Sequence, residues 1–229
     1  MAKQKLSNIT KDDKDFKKEG GVVSVDLDVQ EFDGDFSSIE LTEELNKQTI
    51  SYIERLIRSS YEYKQYIGYL KNELDITSCA ITPSLDIREY DIHLEMHHYP
   101  FTLYDIVETI AKEMLAKKKT EKVSMFKIAD AVMKEHYEGN VGLVPLTKTA
   151  HEQAHNFAIK IPAVSINGNY DKFIAKHRAY INPETLDKAM NAKLITMADA
   201  EEFNNNKLKL NIMHYNIKYN KQKQSTSEQ

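Results

Sequence analysis

Two short runs in this 229-residue chain concentrate its metal-binding and acid–base chemistry: Glu95-Met96-His97-His98 and His151-Glu152-Gln153-Ala154-His155. Imidazole both coordinates transition metals and exchanges protons near neutral pH. Spacing matters as much as residue type. Residues i and i+4 of a helix stand one turn apart on one face, so His151 and His155 can share a single cation. The lone Cys79 forms no internal disulfide and builds no Cys-x-x-Cys knuckle. Any metal here therefore falls to His, Asp, Glu or Asn.

The elements that must position these side chains can be read from hydrophobic period. Ile92, Leu94 and Met96 alternate with Asp91, His93, Glu95 and His97, the two-residue repeat of a half-buried strand, so Glu95 and His97 share a polar face and His98 points the other way. Pro100 stops that ladder. Thr102 opens a helix with Leu103, Ile106, Val107, Ile110 and Met114 as its apolar stripe and Asp105 three residues after the cap. A second helix runs from Ser124 to Gly139 with Met125, Ile128, Ala129, Val132 and Met133 inward. Gly142 to Leu146 reads as a second strand, and the Thr149-x-x-Glu152 spacing of a capping box predicts a helix from Ala150. Strand, strand and helix then form a compact ligand cage. Upstream, Ile50, Ile53, Ile57, Ile67, Leu70 and Leu74 predict one long helix from Thr42 to about Leu74, with Glu43 and Glu44 in its first turn. Downstream, helices are expected after the Asn167-Gly168 turn, near Pro183 to Met190, and near Ala198 to Asn205. His136, close to a helix C-terminus, is expected to serve the helix dipole, and His93 to be exposed.

Composition sets the outer limits. A 41% hydrophobic chain can fill a core. No run approaches the ~20 apolar residues of a spanning helix, and Met1-Ala2-Lys3-Gln4-Lys5-Leu6 lacks a signal-peptide core, so no membrane role and a cytoplasmic location are expected, in the host cytoplasm if the gene is a phage's. Net charge is −4, with acid gathered early and base gathered in the middle and late parts. Lys117, Lys118 and Lys119, and then Lys172, Lys176 and Arg178, are candidate phosphate contacts beside the plainer reading of solvated faces. The expected organisation is a disordered tail over 1–20, a region with a long helix over 21–90, a core over 91–160 carrying a two-helix insertion at 102–137, a helical region over 161–217 and a second disordered tail over 218–229.

At these residues the chain resembles the HNH nuclease family, whose fold is the ββα-metal (His-Me finger) core. Glu95-Met96-His97-His98 matches its Glu-x-His-His element, and His151-x-x-x-His155 matches the pair on its closing helix. The resemblance, to phage HNH endonucleases and to the nuclease domains of DNA-degrading colicins, implies an α+β protein, mostly helical, around that small core. It implies that His97, His151 and His155 bind one divalent metal, Mg²⁺, Mn²⁺, Ni²⁺ or Zn²⁺, that His98 is the general base and that Glu95 orients the ligands. The family's central Asn falls to Asn140, two residues before Gly142, where the family usually has it. The implied activity is hydrolysis of DNA phosphodiester bonds. Such chemistry needs a cation at the phosphate oxygens and a base for water, and a neutral imidazole with a pKa near ~6.5 can serve as that base at pH 7.

Two other readings use the same letters. His151-Glu152-x-x-His155 is also the His-Glu-x-x-His pattern of zinc metallopeptidases, in which the Glu activates water. Against it stand the cap beside His151, the want of a third ligand downstream, where Glu184 follows Asn182-Pro183, and the unexplained His97-His98. A noncatalytic phage DNA-binding or structural protein with a degenerate metal fold is the third reading, and it accommodates the displaced Asn.

Overall fold

The computed structural model of the chain describes residues 45–117 and 123–206. The two expected tails, the first-turn acids Glu43 and Glu44, and Lys118 and Lys119 lie outside them. Helix α1 (Lys47–Ser59) begins at Asn46, whose side chain accepts the Thr49 N–H at 2.8 Å, and it buries Ile50, Ile53 and Ile57. The single long helix expected over 42–74 is in fact two. Ser60 takes an extended backbone (φ −65°, ψ 146°) and accepts the Tyr63 N–H at 3.1 Å, which ends α1 and caps α2 (Tyr61–Asn72). A serine hydroxyl competes with the helical ladder for backbone donors, and across it the buried face changes from Ile50, Ile53 and Ile57 to Tyr63, Tyr66 and Leu70.

Strand β1 (Leu94–His98) pairs antiparallel with β2 (Leu143–Thr147), His97 opposite Val144 and Glu95 opposite Leu146. Helices α3 (Leu103–Lys117) and α4 (Met125–Tyr137) fill the interval between the strands and pack with α1. At the start of α3, the Thr102 N–H and hydroxyl donate to Asp105 at 2.8 and 2.6 Å, and the Asp105 N–H donates back to the Thr102 hydroxyl at 3.1 Å. At the end of α4, Gly139 sits at φ +68°, the left-handed region where a missing Cβ removes the penalty.

Helix α5 (Lys148–His155) follows β2 with no loop. It starts two residues earlier than the Thr149 cap predicts, because Thr147, the last residue of the strand, accepts the Ala150 N–H at 3.3 Å. Glu152 is left exposed. One small core of Leu94, Val144, Leu146, Ala150, Ile161 and Cys79 holds this strand–strand–helix unit together. Beyond it come α6 (Tyr170–His177), α7 (Pro183–Ala192) and a helical segment at 197–206, as expected. The molecule is α+β and mostly helical, with one two-stranded sheet among the described residues. No helix there is long and apolar enough to cross a membrane.

Candidate metal centre

The two-residue period of β1 turns Glu95 and His97 to the face that α5 covers, and the helical period of α5 turns His151 and His155 back to meet them. One ligand nitrogen from each of His97, His151 and His155 lies within 4.8 Å of the other two. His151 Nε2 and His155 Nε2 are 3.1 Å apart. Two nitrogens bound at ~2.1 Å to one tetrahedral ion stand about 3.4 Å apart, so this pair already has the separation of a shared shell, and His97 completes it by a small side-chain adjustment. Glu95 Oε2 meets His151 Nδ1 at 2.5 Å. A carboxylate on one ring nitrogen fixes the tautomer and leaves the lone pair of Nε2 for an ion, the usual arrangement behind metal-bound histidine. Burial, and then the neighbouring His151 and His155, push the pKa of His97 down to about 4. Burial also lowers that of His151, opposed by Glu95. Both rings are thus neutral at pH 7, the form that coordinates.

His98 does not join them. Strand alternation sends its ring to the opposite side, where its Nε2 lies 3.0 Å from His136 Nε2 and Tyr63 stacks on it. His136 Nδ1 donates to the Val132 carbonyl at 2.8 Å, so the neutral His136 offers a lone pair at Nε2 and His98 supplies the hydrogen. The remaining His98 nitrogen, Nδ1, is buried without a partner. Burial and the adjacent His136 hold the His98 pKa well below its ordinary value. The expectation that His98 is a general base finds no support in these contacts: its Nε2 is engaged by His136 and its Nδ1 is buried without a partner, although the ring borders a cavity. The reading of His136 is corrected. It is a buried partner of His98, not a ring serving an exposed helix end.

Asn140 is likewise elsewhere. It is buried at the end of α4 and donates to Glu135 at 2.8 Å and Glu138 at 3.0 Å, so the catalytic role expected of it is not supported by its position. Nor does Gly142 leave room for an Asn, because a Cβ built there would stand 2.1 Å from the Tyr99 carbonyl oxygen. The strand pair closes too tightly at that point, where the Tyr99 N–H donates to the Gly142 carbonyl at 3.0 Å.

The candidate phosphate contacts divide. Lys117 pairs with Glu113 and lies near the Tyr180 ring, and Lys176 pairs with Glu135, so both are committed within the helical layer. Lys172 and Arg178 are exposed. His177 is buried against Glu113 and Glu135, with no exposure for phosphate. His93 is exposed, as expected.

Sequence reasoning missed a cavity of about 450 Å³ that opens beside His97 and His155. His98 also borders it, and further walls come from Tyr99 and Thr102 after β1, from Phe157, Ile159, Lys160 and Ile161 after α5, from α7 and from Phe203. No local period could reveal it, because these segments meet only in the folded chain.

A family model described as Bacteriophage G278-like virion protein matches residues 1–225. No curated protein and no solved structure matches the chain. The match extends over nearly the whole length, whereas the likeness to the HNH family rests on a few residues between 95 and 155. It overturns that resemblance as a statement of family, in keeping with the positions of His98, Asn140 and Gly142.

Proposed function

Because the chain belongs to the Bacteriophage G278-like virion protein family, we propose that it is a noncatalytic component of a phage particle that holds one divalent transition-metal ion through His97, His151 and His155. The observation that carries the metal assignment is the convergence of the three imidazole nitrogens within 4.8 Å. Three imidazoles suit Zn²⁺, Ni²⁺, Co²⁺ or Mn²⁺ better than Mg²⁺, which prefers oxygen ligands and its own waters. An ion there would tie β1 to α5 across the strand–strand–helix unit, whose hydrophobic core is small. Two measurements test the reading. Purified particles should contain the chain at a fixed copy number by quantitative mass spectrometry. The isolated protein should bind one equivalent of Zn²⁺ by calorimetry, and His97→Ala and His151→Ala should each abolish it. Stoichiometric binding that survives both substitutions would remove the metal assignment.

A second reading, hydrolysis of DNA phosphodiesters at the same ion, is favoured by one feature. Three protein ligands leave a coordination position for water, the pattern of catalytic rather than closed structural zinc sites. Nicking of supercoiled plasmid with Mg²⁺, Mn²⁺, Ni²⁺ or Zn²⁺, abolished by EDTA and by His151→Ala, would establish it. Intact plasmid under all four ions would leave the structural reading alone.

A further inference from the structure

The cavity beside the three histidines has a composition that selects among ligands. His97 and His155 stand in its wall, with Phe157, Ile161, Ile195 and Phe203 as apolar surface beside polar groups such as Tyr99 and Asn191. Its volume of about 450 Å³ lies within the ~300–1,000 Å³ of small-molecule sites. Asp105 is the one acid in the lining, and its carboxylate is consumed by Thr102 at 2.8 and 2.6 Å and by the Thr185 hydroxyl at 3.3 Å. The cations in the wall are Lys160 and Lys188. Lys160 is held in place by Asn204, which accepts the Lys160 N–H at 2.8 Å and donates to its carbonyl at 3.2 Å, and its ammonium lies 4.8 Å from the centre of the Phe203 ring. The cavity thus combines an apolar surface with polar groups, is cationic in balance and is bounded on one side by two of the three candidate metal ligands.

We propose that this cavity binds a small organic carboxylate with an apolar body. The carboxylate oxygens take the open position on the ion at His97 and His155, and the hydrocarbon part lies along Phe157, Ile161, Ile195 and Phe203. Lys160 and Lys188 add a favourable field for the negative charge. The inference rests on the metal reading above. An anionic oxygen is the natural donor for a position that three neutral imidazoles leave open, because it offsets the ion's charge where histidine does not. An apolar tail is matched by Phe157, Ile161, Ile195 and Phe203, which form part of a wall that also carries Tyr99, Thr185 and Asn191.

The test uses the full chain loaded with Co²⁺, whose visible absorption reports its ligands. Octanoate is the probe, with acetate and 1-octanol as partial probes that keep only the charge or only the tail. Saturable change of the Co²⁺ spectrum by octanoate is expected, with at least tenfold weaker binding of acetate and no spectral change with octanol. Lys188→Glu, on an exposed side chain, should weaken octanoate severalfold and leave the octanoate-free spectrum unchanged. If Co²⁺ is not taken up, the metal reading itself fails and this inference falls with it. If Co²⁺ binds normally but octanoate leaves the spectrum unaltered, or acetate binds as tightly as octanoate, the cavity assignment alone is overturned.

Discussion

Glu95 and His136 are the residues whose partners decide what the histidines on β1 can do. Glu95 holds His151 by its Nδ1, so Glu95→Gln should weaken Zn²⁺ binding by roughly 10–100-fold, the usual effect of losing a carboxylate behind a ligand. A competition titration against a chromophoric chelator reads this directly, and an unchanged affinity would mean that Glu95 does not orient the ring. His136 makes a different prediction. Burial pushes its pKa down to about 4, below the ~6.5 of an unfolded chain. The unfolded state therefore takes up a proton as pH falls below 6.5 while the folded state does not, so stability is full above that value and declines until pH reaches about 4, where both states are protonated. A difference of this size corresponds to about 3 kcal/mol. Urea unfolding in metal-free buffer between pH 7 and 4 should show the decline, and it should be smaller in His136→Gln.

At the scale of elements, the metal ligands depend on how closely β1, β2 and α5 are joined. Gly142 is the point of closest approach, since any Cβ would meet the Tyr99 carbonyl oxygen at 2.1 Å. Gly142→Ala should lower stability by about 2 kcal/mol or more, because backbone rather than a flexible side chain has to give way. Thermal unfolding of the substituted chain checks this, and an unshifted midpoint would show that the strand ends separate freely. Thr147 closes β2 and caps α5 in one residue. Thr147→Ala should cost about 1 kcal/mol and also reduce metal affinity, whereas Thr149→Ala should leave both nearly unchanged. That contrast separates the cap seen in the fold from the one implied by the Thr-x-x-Glu spacing.

For the whole molecule, an ion joining β1 to α5 connects residues more than fifty positions apart in the chain. A ligand that binds only the folded state stabilises it by mass action, by about 2.7 kcal/mol at a hundred times its Kd. In a chain of 229 residues this should raise the unfolding midpoint by about 5–10 °C. Scanning calorimetry with Zn²⁺ and then with excess EDTA should show the rise and its reversal, and His155→Ala should show neither. An ion at that place would reinforce a strand–strand–helix unit that has only a small apolar core.

The convergence of His97, His151 and His155 was legible in the sequence because each relation is a local period: alternation along a strand, and four residues along a helix. The helices at 103–117 and 125–137 were legible for the same reason, with Thr102 and Ser124 at their starts, whereas those at 170–177 and 183–192 were placed only from the Asn167-Gly168 turn and from Pro183, and their caps at Asn169 and Asn182 came from the structure. The fate of His98 was not. Its neighbour in sequence is a metal-ligand candidate, but its neighbour in space is His136 on α4, and only tertiary packing decides which of them it serves. Asn140 shows the same dependence, since its partners Glu135 and Glu138 turn an apparent catalytic residue into a helix-end contact. The break at Ser60 is hidden when Ile50, Ile53, Ile57, Ile67, Leu70 and Leu74 are taken as one stripe; the ten-residue step from Ile57 to Ile67 does not return to the same helix face, and α2 buries Tyr63, Tyr66 and Leu70 instead. Local chemistry alone set out which side chains could bind an ion. Packing decided which of them face one another, because contacts across α4, α5 and α7 carry no period along the chain.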